Sequence, residues 1–182
     1  MQRIVIEFIY MENIYELIKQ RRSVRNFKPD PVDEAVLKRI VEAALWAPSA
    51  GNVQARMFYL VLNPQMKKAV ASACFDQEHV EQAPAVIVAC TDVETMRSFY
   101  GKRGTTLYGI CDVSAAVENM LLAAWSEGVG SCWVGNFDEH KLQKALNIPK
   151  QYLPVAVVPL GYPSEVPPPP ARKSFDESVI IL

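Results

Sequence analysis

The chain has 182 residues, 50% hydrophobic and 21% charged, which fits one globular domain with a sizeable core at ~100–200 residues per domain. Lys and Arg (19) nearly balance Asp and Glu (20), for a formal net charge of −1. No global field therefore draws the protein to nucleic acid or an anionic membrane, and any affinity for anions must come from a local cluster.

Residues 1–10 are apolar but contain Arg3 and Glu7, and no small-residue cleavage site follows. They make a poor signal peptide, and no run approaches the ~20 apolar residues of a membrane span. They read either as an N-terminal extension that adds a strand or as an upstream start, with the domain proper at 11–182. Asn13 and Glu16 have capping-box spacing, and Ile14, Leu17 and Ile18 form one helical face. That helix runs into Arg21-Arg22-Ser23-Val24-Arg25. A second helix is capped by Asp33, carries Val36, Leu37, Ile40, Val41, Ala44 and Leu45 at helical spacing, and stops at Pro48.

The turn-forming run 48–54 leads into a strand at 57–62, then a short helix at 64–74 and an apolar strand at 85–90. Residues 91–109 are polar and aromatic without a steady period and read as loop. Residues 111–127 form a long helix with a broad apolar stripe, closed by Gly128. A strand at 130–134, a helix capped by Asp138 and ending before Pro149, and a strand at 155–160 follow. Pro167 to Pro170 make an extended spacer that leads to Arg172-Lys173 and a terminal strand at 179–182. Helices and strands mix without a repeating βαβ unit or internal repeat, which indicates an α+β fold.

Arg21, Arg22 and Arg25 with Ser23 offer guanidinium forks and a hydroxyl suited to phosphate or to the carbonyl edge of a heterocycle. Alone, the cluster reads as a solvated charge run that complements a helix C-terminus. In Pro48-Ser49-Ala50-Gly51-Asn52-Val53-Gln54, Gly51 permits close backbone approach and the Asn52 and Gln54 amides donate and accept. A plain helix-to-strand turn would use the same residues. Gly130-Ser131-Cys132-Trp133-Val134-Gly135 is equally a buried strand with glycine ends. Phosphate loops of the Walker and Rossmann types are absent from the sequence. Ser49 has no nearby base, and His79 and His140 have no metal-ligand spacing, so no metal site is expected. Cys74, Cys90, Cys111 and Cys132 form no C-x-x-C pair and read as buried free thiols in a cytoplasmic protein.

Taken together and in this order, these segments resemble the nitroreductase-like family of FMN-dependent oxidoreductases. The matching pieces are Arg21 to Arg25, Trp46 to Gln54, Gly130 to Gly135, Pro159-Leu160-Gly161-Tyr162-Pro163 and the Arg172-Lys173 pair, spanning residues 11–182. The resemblance implies an α+β sandwich, a mostly antiparallel central sheet flanked by helices, in an intertwined homodimer with FMN at its interface. It implies that Arg21, Arg22 and Ser23 hold the phosphate and ribityl side, that Arg172 and Lys173 close on the phosphate, and that Arg25 faces the pyrimidine edge of the flavin and tunes it. Pro48, Ser49, Ala50, Gly51, Asn52 and Gln54 would come from the other subunit, with Val134 and Gly135 near the ring. One departure stands out: relatives usually continue Asn-x-Gln with a proline and an aromatic residue, and here Ala55 and Arg56 follow.

The implied activity is ping-pong reduction of nitroaromatic or quinone-type acceptors by NADH or NADPH. The cofactor carries the chemistry, so the chain needs no catalytic acid, base or nucleophile of its own. Phe99, Tyr100 and Tyr108, interleaved with Arg97, Lys102 and Arg103, suit a lid that stacks on flat, often anionic small-molecule acceptors. Three alternatives remain open. They are a specialised relative that removes a halogen or fragments a flavin, a protein that stores or senses FMN, and a non-flavin interaction protein using Pro167 to Pro170 as a ligand.

Overall fold

Side-chain caps start most of the helices. The computed structural model describes residues 14–182, so the extension at 1–10 and the expected Asn13 cap of α1 (Ile14–Gln20) lie outside the described residues. In α2 (Glu34–Leu45), Asp33 accepts from Ala35 N at 2.7 Å. Asn63 accepts from Met66 N at 3.1 Å to open α3 (Pro64–Ala73). After β1 (Arg56–Val61), the short α4 (Glu78–Gln82) and β2 (Ala85–Asp92), Asp92 takes the Glu94 and Thr95 amides to begin α5 (Val93–Arg103). Asp138 does the same for α7 (Glu139–Leu146) through Lys141 N at 2.9 Å. Each such cap satisfies a backbone N–H that the helix itself cannot.

The stretch 91–109, expected as loop, is helical. α5 is followed by a π turn at Gly104–Tyr108 that feeds directly into α6 (Gly109–Ser126). Its period is hidden because Met96 is the one buried hydrophobic side chain of α5 and Gly101 interrupts it at φ 57, ψ −140. Taken through the π turn, Val93–Ser126 is long and apolar enough to cross a membrane. Its apolar residues Val113, Val117, Met120, Leu121 and Ala124 are instead buried in the protein core.

The sheet runs β1-β2-β4-β3, with β3 at Gly130–Ser131 and β4 at Tyr152–Gly161, and every pair is antiparallel. Helices cover both faces. Ile87, Ala89, Ala156, Val158 and Leu160 pack with α2 and α6, while Val86, Val88, Cys90 and Val157 pack with α3, α4 and α7. That is why β2 reads as a continuous apolar run rather than an alternating one. The strand expected at 130–134 is shorter because its ladder fails opposite Pro159, which has no N–H to return. Val134 rejoins β4 through one bridge to Val157. The terminal strand expected at 179–182 does not form within one chain: Ile180, Ile181 and Leu182 are exposed and unpaired.

The segment after α1 is stitched to the sheet at both ends. Val24 N donates to Ser131 O at 2.9 Å, Lys28 N to Tyr162 O at 2.8 Å, and Ser164 N to Asn26 O at 3.0 Å. Gly130 allows that approach, since a Cβ there would lie 2.8 Å from Val24 Cβ. Gly130→Ala should therefore destabilise the protein by about 1–3 kcal/mol, the usual range for overpacking a close contact. Urea unfolding checks this; an unchanged midpoint would mean that Val24 moves freely aside.

Candidate functional site

The same stitching builds a cleft. Segment 21–25 lies along β3, and the chain leaving β4 returns past it in extended form, bringing Pro167, Pro168, Pro170 and Arg172 opposite Arg21, Arg22, Ser23 and Arg25 around about 160 Å³. An adjoining hollow of about 220 Å³ shares Ser23, Arg25 and Pro167 and adds Asn26 and Glu165. Arg172 thus meets the Arg21–Arg25 cluster of its own chain rather than reaching away from it. Lys173 is exposed and does not line the cleft.

The arginines have different local duties. Arg22 Nη1 donates to Lys19 O at 2.7 Å and Arg21 O at 3.0 Å, which caps the end of α1. Arg21 Nε faces Glu118 Oε1 at 3.8 Å. Arg25 and Arg172 make no hydrogen bond or ion pair among the described residues, so their donors face the cleft unused. Asn26 Nδ2 ties Glu165 down at the far side.

Two groups beneath the cleft feel this charge. Burial and then the Arg25 guanidinium hold His79 below the usual imidazole range, and its buried Nε2 has no hydrogen-bond partner. Burial pushes the Cys132 thiol up, while Arg25, Arg21 and Ser23 pull it the other way. Cys74 and Cys90 are pushed up to about 12 by burial and are inert thiols. Cys111, expected to be buried, is exposed, because the helical period turns it to the outer face of α6 with Glu118.

The loop 48–54 contributes nothing to the lining of the cleft in the same chain. It packs against α5 and the start of α6: Asp112 Oδ1 accepts from Ala50 N at 3.0 Å, and a Cβ on Gly51 would lie 2.2 Å from the Tyr100 hydroxyl. Tyr100 and Tyr108 meet edge-on with centroids 5.3 Å apart, and Arg103 Nε donates to the Tyr108 hydroxyl at 2.9 Å. Phe99 is exposed beside them. Val134 is buried in the core under β4, so its side chain is not available to a ligand; Gly135, next to it, is exposed.

Asp112 was not singled out from the sequence, and Arg56 stood there only as a departure from the family pattern. Both Nη atoms of Arg56 lie 3.1 Å from Ala47 O, so the residue that departs from the family pattern fastens the entry of the loop. Burial draws Arg56 below the usual guanidinium value and the Asp112 charge opposes this. A lone acid in an otherwise apolar helical stripe was the available signal for Asp112.

The sequence model of the nitroreductase family matches residues 18–78 and 67–162. A protein of Archaeoglobus fulgidus with the provisional name NADH dehydrogenase/NAD(P)H nitroreductase is 35% identical over 159 residues, 85% of this chain and 88% of that protein. An NADH dehydrogenase of Thermus thermophilus is 31% identical, covering 88% of this chain and 92% of its own length. Among solved structures, the NADPH:FMN oxidoreductase of Vibrio harveyi complexed with NAD+ superposes with a TM-score of 0.85 at 25% identity, over 93% of this chain and 77% of that one.

A pH dependence follows from His79. Its neutral form is favoured in the fold, so the unfolded chain, with a value near ~6.5, binds more protons as the pH falls. This contribution to stability is present above about pH 6.5 and is lost as the pH drops through the lower folded value. Thermal midpoints measured from pH 7.5 to 5 should fall more steeply for the wild type than for His79→Gln. Parallel curves would remove His79 from the balance.

Proposed function

The chain belongs to the nitroreductase family, and on that footing we propose that it is an NAD(P)H-dependent FMN oxidoreductase that reduces nitroaromatic or quinone-type acceptors. The observation that carries this reading is the cleft where Arg25 and Arg172, both without a counter-ion among the described residues, converge beside Arg21, Arg22 and Ser23. Donors left unused around a hollow of this size fit a phosphate monoester, which accepts several charge-assisted hydrogen bonds at once. The residues therefore fit the phosphate end of FMN.

FMN bound there supplies the hydride acceptance and donation. The chain's own residues bind and orient. Arg172 and Arg21 would hold the phosphate, Ser23 would serve the ribityl side, and Arg25 would supply a fixed cation for the carbonyl edge of the ring, where negative charge builds up. Gly135 would offer exposed backbone to the ring. Phe99, Tyr100 and Tyr108 give an aromatic surface for a flat acceptor, with Arg103 nearby for an anionic one.

The loop 48–54 and the arginine cleft share no lining residue within one chain, so a second copy is the reading that lets both meet one flavin. The chain carries the means for such a homodimer. Among the described residues β1 pairs with β2 and with no strand on its outer edge, and the apolar tail of Val179, Ile180, Ile181 and Leu182 is exposed. An extended, β-branched segment and an open strand edge are complementary. The tail is thus the part read as reaching the partner.

The purified protein should be yellow, with about one FMN per subunit. Arg172→Ala should weaken FMN by about 1.5–3 kcal/mol, the range for a hydrogen bond to a charged group, and should leave riboflavin binding nearly unchanged. Equal loss for both ligands in fluorescence titration would contradict the phosphate assignment.

Reduction decides the activity. Anaerobic NADH or NADPH should bleach the flavin, and a nitroaromatic or quinone should restore its colour. Initial rates should give the parallel double-reciprocal lines of a ping-pong scheme. A flavin still oxidised after hours with both nucleotides would favour the storage reading. For assembly, deletion of residues 174–182 should produce monomers in sedimentation and release flavin together; a truncated yellow dimer would refute the role given to the tail.

A further inference from the structure

The loop 48–54 holds a shape that its residues do not favour. Gly51 has φ +55, but so does Asn52, and Gln54 has φ 57. Non-glycine residues are uncommon in this region, and each such conformation costs about 1–3 kcal/mol unless its surroundings enforce it. Internal bonds close the turn: Ser49 Oγ accepts from Gln54 N at 3.1 Å, and Asn52 N donates to Ser49 O at 2.9 Å. Those bonds shape the loop but do not fix it to the body of the protein.

Two side chains do. Arg56 grips the Ala47 carbonyl with both Nη atoms at 3.1 Å, and the Leu45 and Pro48 carbonyls lie 3.5 Å away as longer contacts. On the other side, Asp112 Oδ1 accepts the Ala50 amide at 3.0 Å. Asp112 is 8% exposed in α6, and its Oδ2 is buried without a hydrogen-bond partner. A carboxylate in such a place is costly to keep, and its one hydrogen bond goes to the backbone of this loop.

We infer that Arg56 and Asp112 are positioning residues that clamp the 48–54 loop in the geometry with which it meets the cofactor. The inference rests on the reading of this loop as a flavin contact. Neither side chain needs to touch the flavin. Arg56 fixes the carbonyls where the chain leaves α2, and Asp112 fixes the first amide of the turn. Loss of either lets Asn52 and Gln54 relax toward ordinary φ and misaims the loop amides.

The test uses the full chain and four variants: Asp112→Ala, Asp112→Asn, Arg56→Met, and Asp138→Ala as a control that removes a distant helix cap. Amide hydrogen exchange is followed after flavin removal, and the FMN dissociation constant is measured separately. Asp112→Ala and Arg56→Met should speed exchange across 48–54 and weaken FMN about tenfold, which corresponds to about 1.4 kcal/mol. Asp112→Asn, which can still accept from Ala50 N, should recover most of both losses, and Asp138→Ala should alter neither. Unchanged exchange in Asp112→Ala and Arg56→Met would overturn the clamp. Faster exchange with unaltered FMN affinity, or equal weakening in Asp138→Ala, would overturn its role in positioning. A wild-type chain that binds no FMN would sink the flavin reading and the cofactor part of this proposal, while exchange in the same protein still decides whether the clamp exists.

Discussion

Guanidinium groups gathered around one cleft repel one another, and here backbone pairing holds them together against that repulsion. The Val24 amide on Ser131, the Lys28 amide on Tyr162 and the Ser164 amide on Asn26 fix segment 21–28 between β3 and the exit of β4. The prolines that follow stay extended and bring Arg172 back to the cluster. The ion pair at the cleft joins Arg21 to a half-exposed Glu118 at 3.8 Å, and pairs of that kind contribute about 0–1 kcal/mol. A strong local positive potential therefore persists in a chain whose net charge is −1. It arises without a glycine-rich phosphate loop or a long helix aimed at the ligand, since α1 points its C-terminal end toward this region and Arg22 is consumed in capping it.

The second half of the site depends on a different constraint, the close fit of the 48–54 turn against α5 and α6. Gly51 lies against the Tyr100 hydroxyl, Tyr100 against the edge of Tyr108, and Tyr108 against Arg103. The π turn between the two helices supplies Tyr108 to this stack, consistent with the frequent use of such turns where a side chain must be re-aimed. The 48–54 loop and the aromatic surface of Tyr100 and Tyr108 are thus one packed unit. A shift of α5 would be felt at the loop through Gly51, where an added methyl group would meet the Tyr100 hydroxyl.

Local signals made much of the fold legible. Asp33 and Asp138 cap the helices assigned to them, and the apolar runs of β2 and β4 are strands because both of their faces are covered. α5 was missed because a polar helix with one buried hydrophobic side chain leaves no periodic stripe, and Gly101 and Gly104 read as breakers. The Asp92 cap was the one overlooked signal. Arg21, Ser23, Arg25 and Arg172, which stand out by residue type, line one cleft. The division of labour that assigns Arg22 to the end of α1 required the backbone itself. Asp112 acts on Ala50, 62 residues away in sequence, so spacing along the chain did not reveal that contact. The terminal strand illustrates the limit of a single chain, because an apolar tail specifies pairing but not where the open edge will be.

The groups with unusual surroundings share one chemical character. Burial keeps His79 neutral, Cys74 and Cys90 are pushed up to about 12, and Asp112 spends its hydrogen bond on a backbone amide. The two buried thiols are not poised to attack near neutral pH. What the fold prepares instead is a set of fixed cations, an exposed turn of strained backbone and an aromatic surface. Such features bind, orient and stabilise charge; they do not make or break bonds. A chain that gathers strained backbone and cations around a cleft is suited to a reaction whose electrons a bound ligand carries.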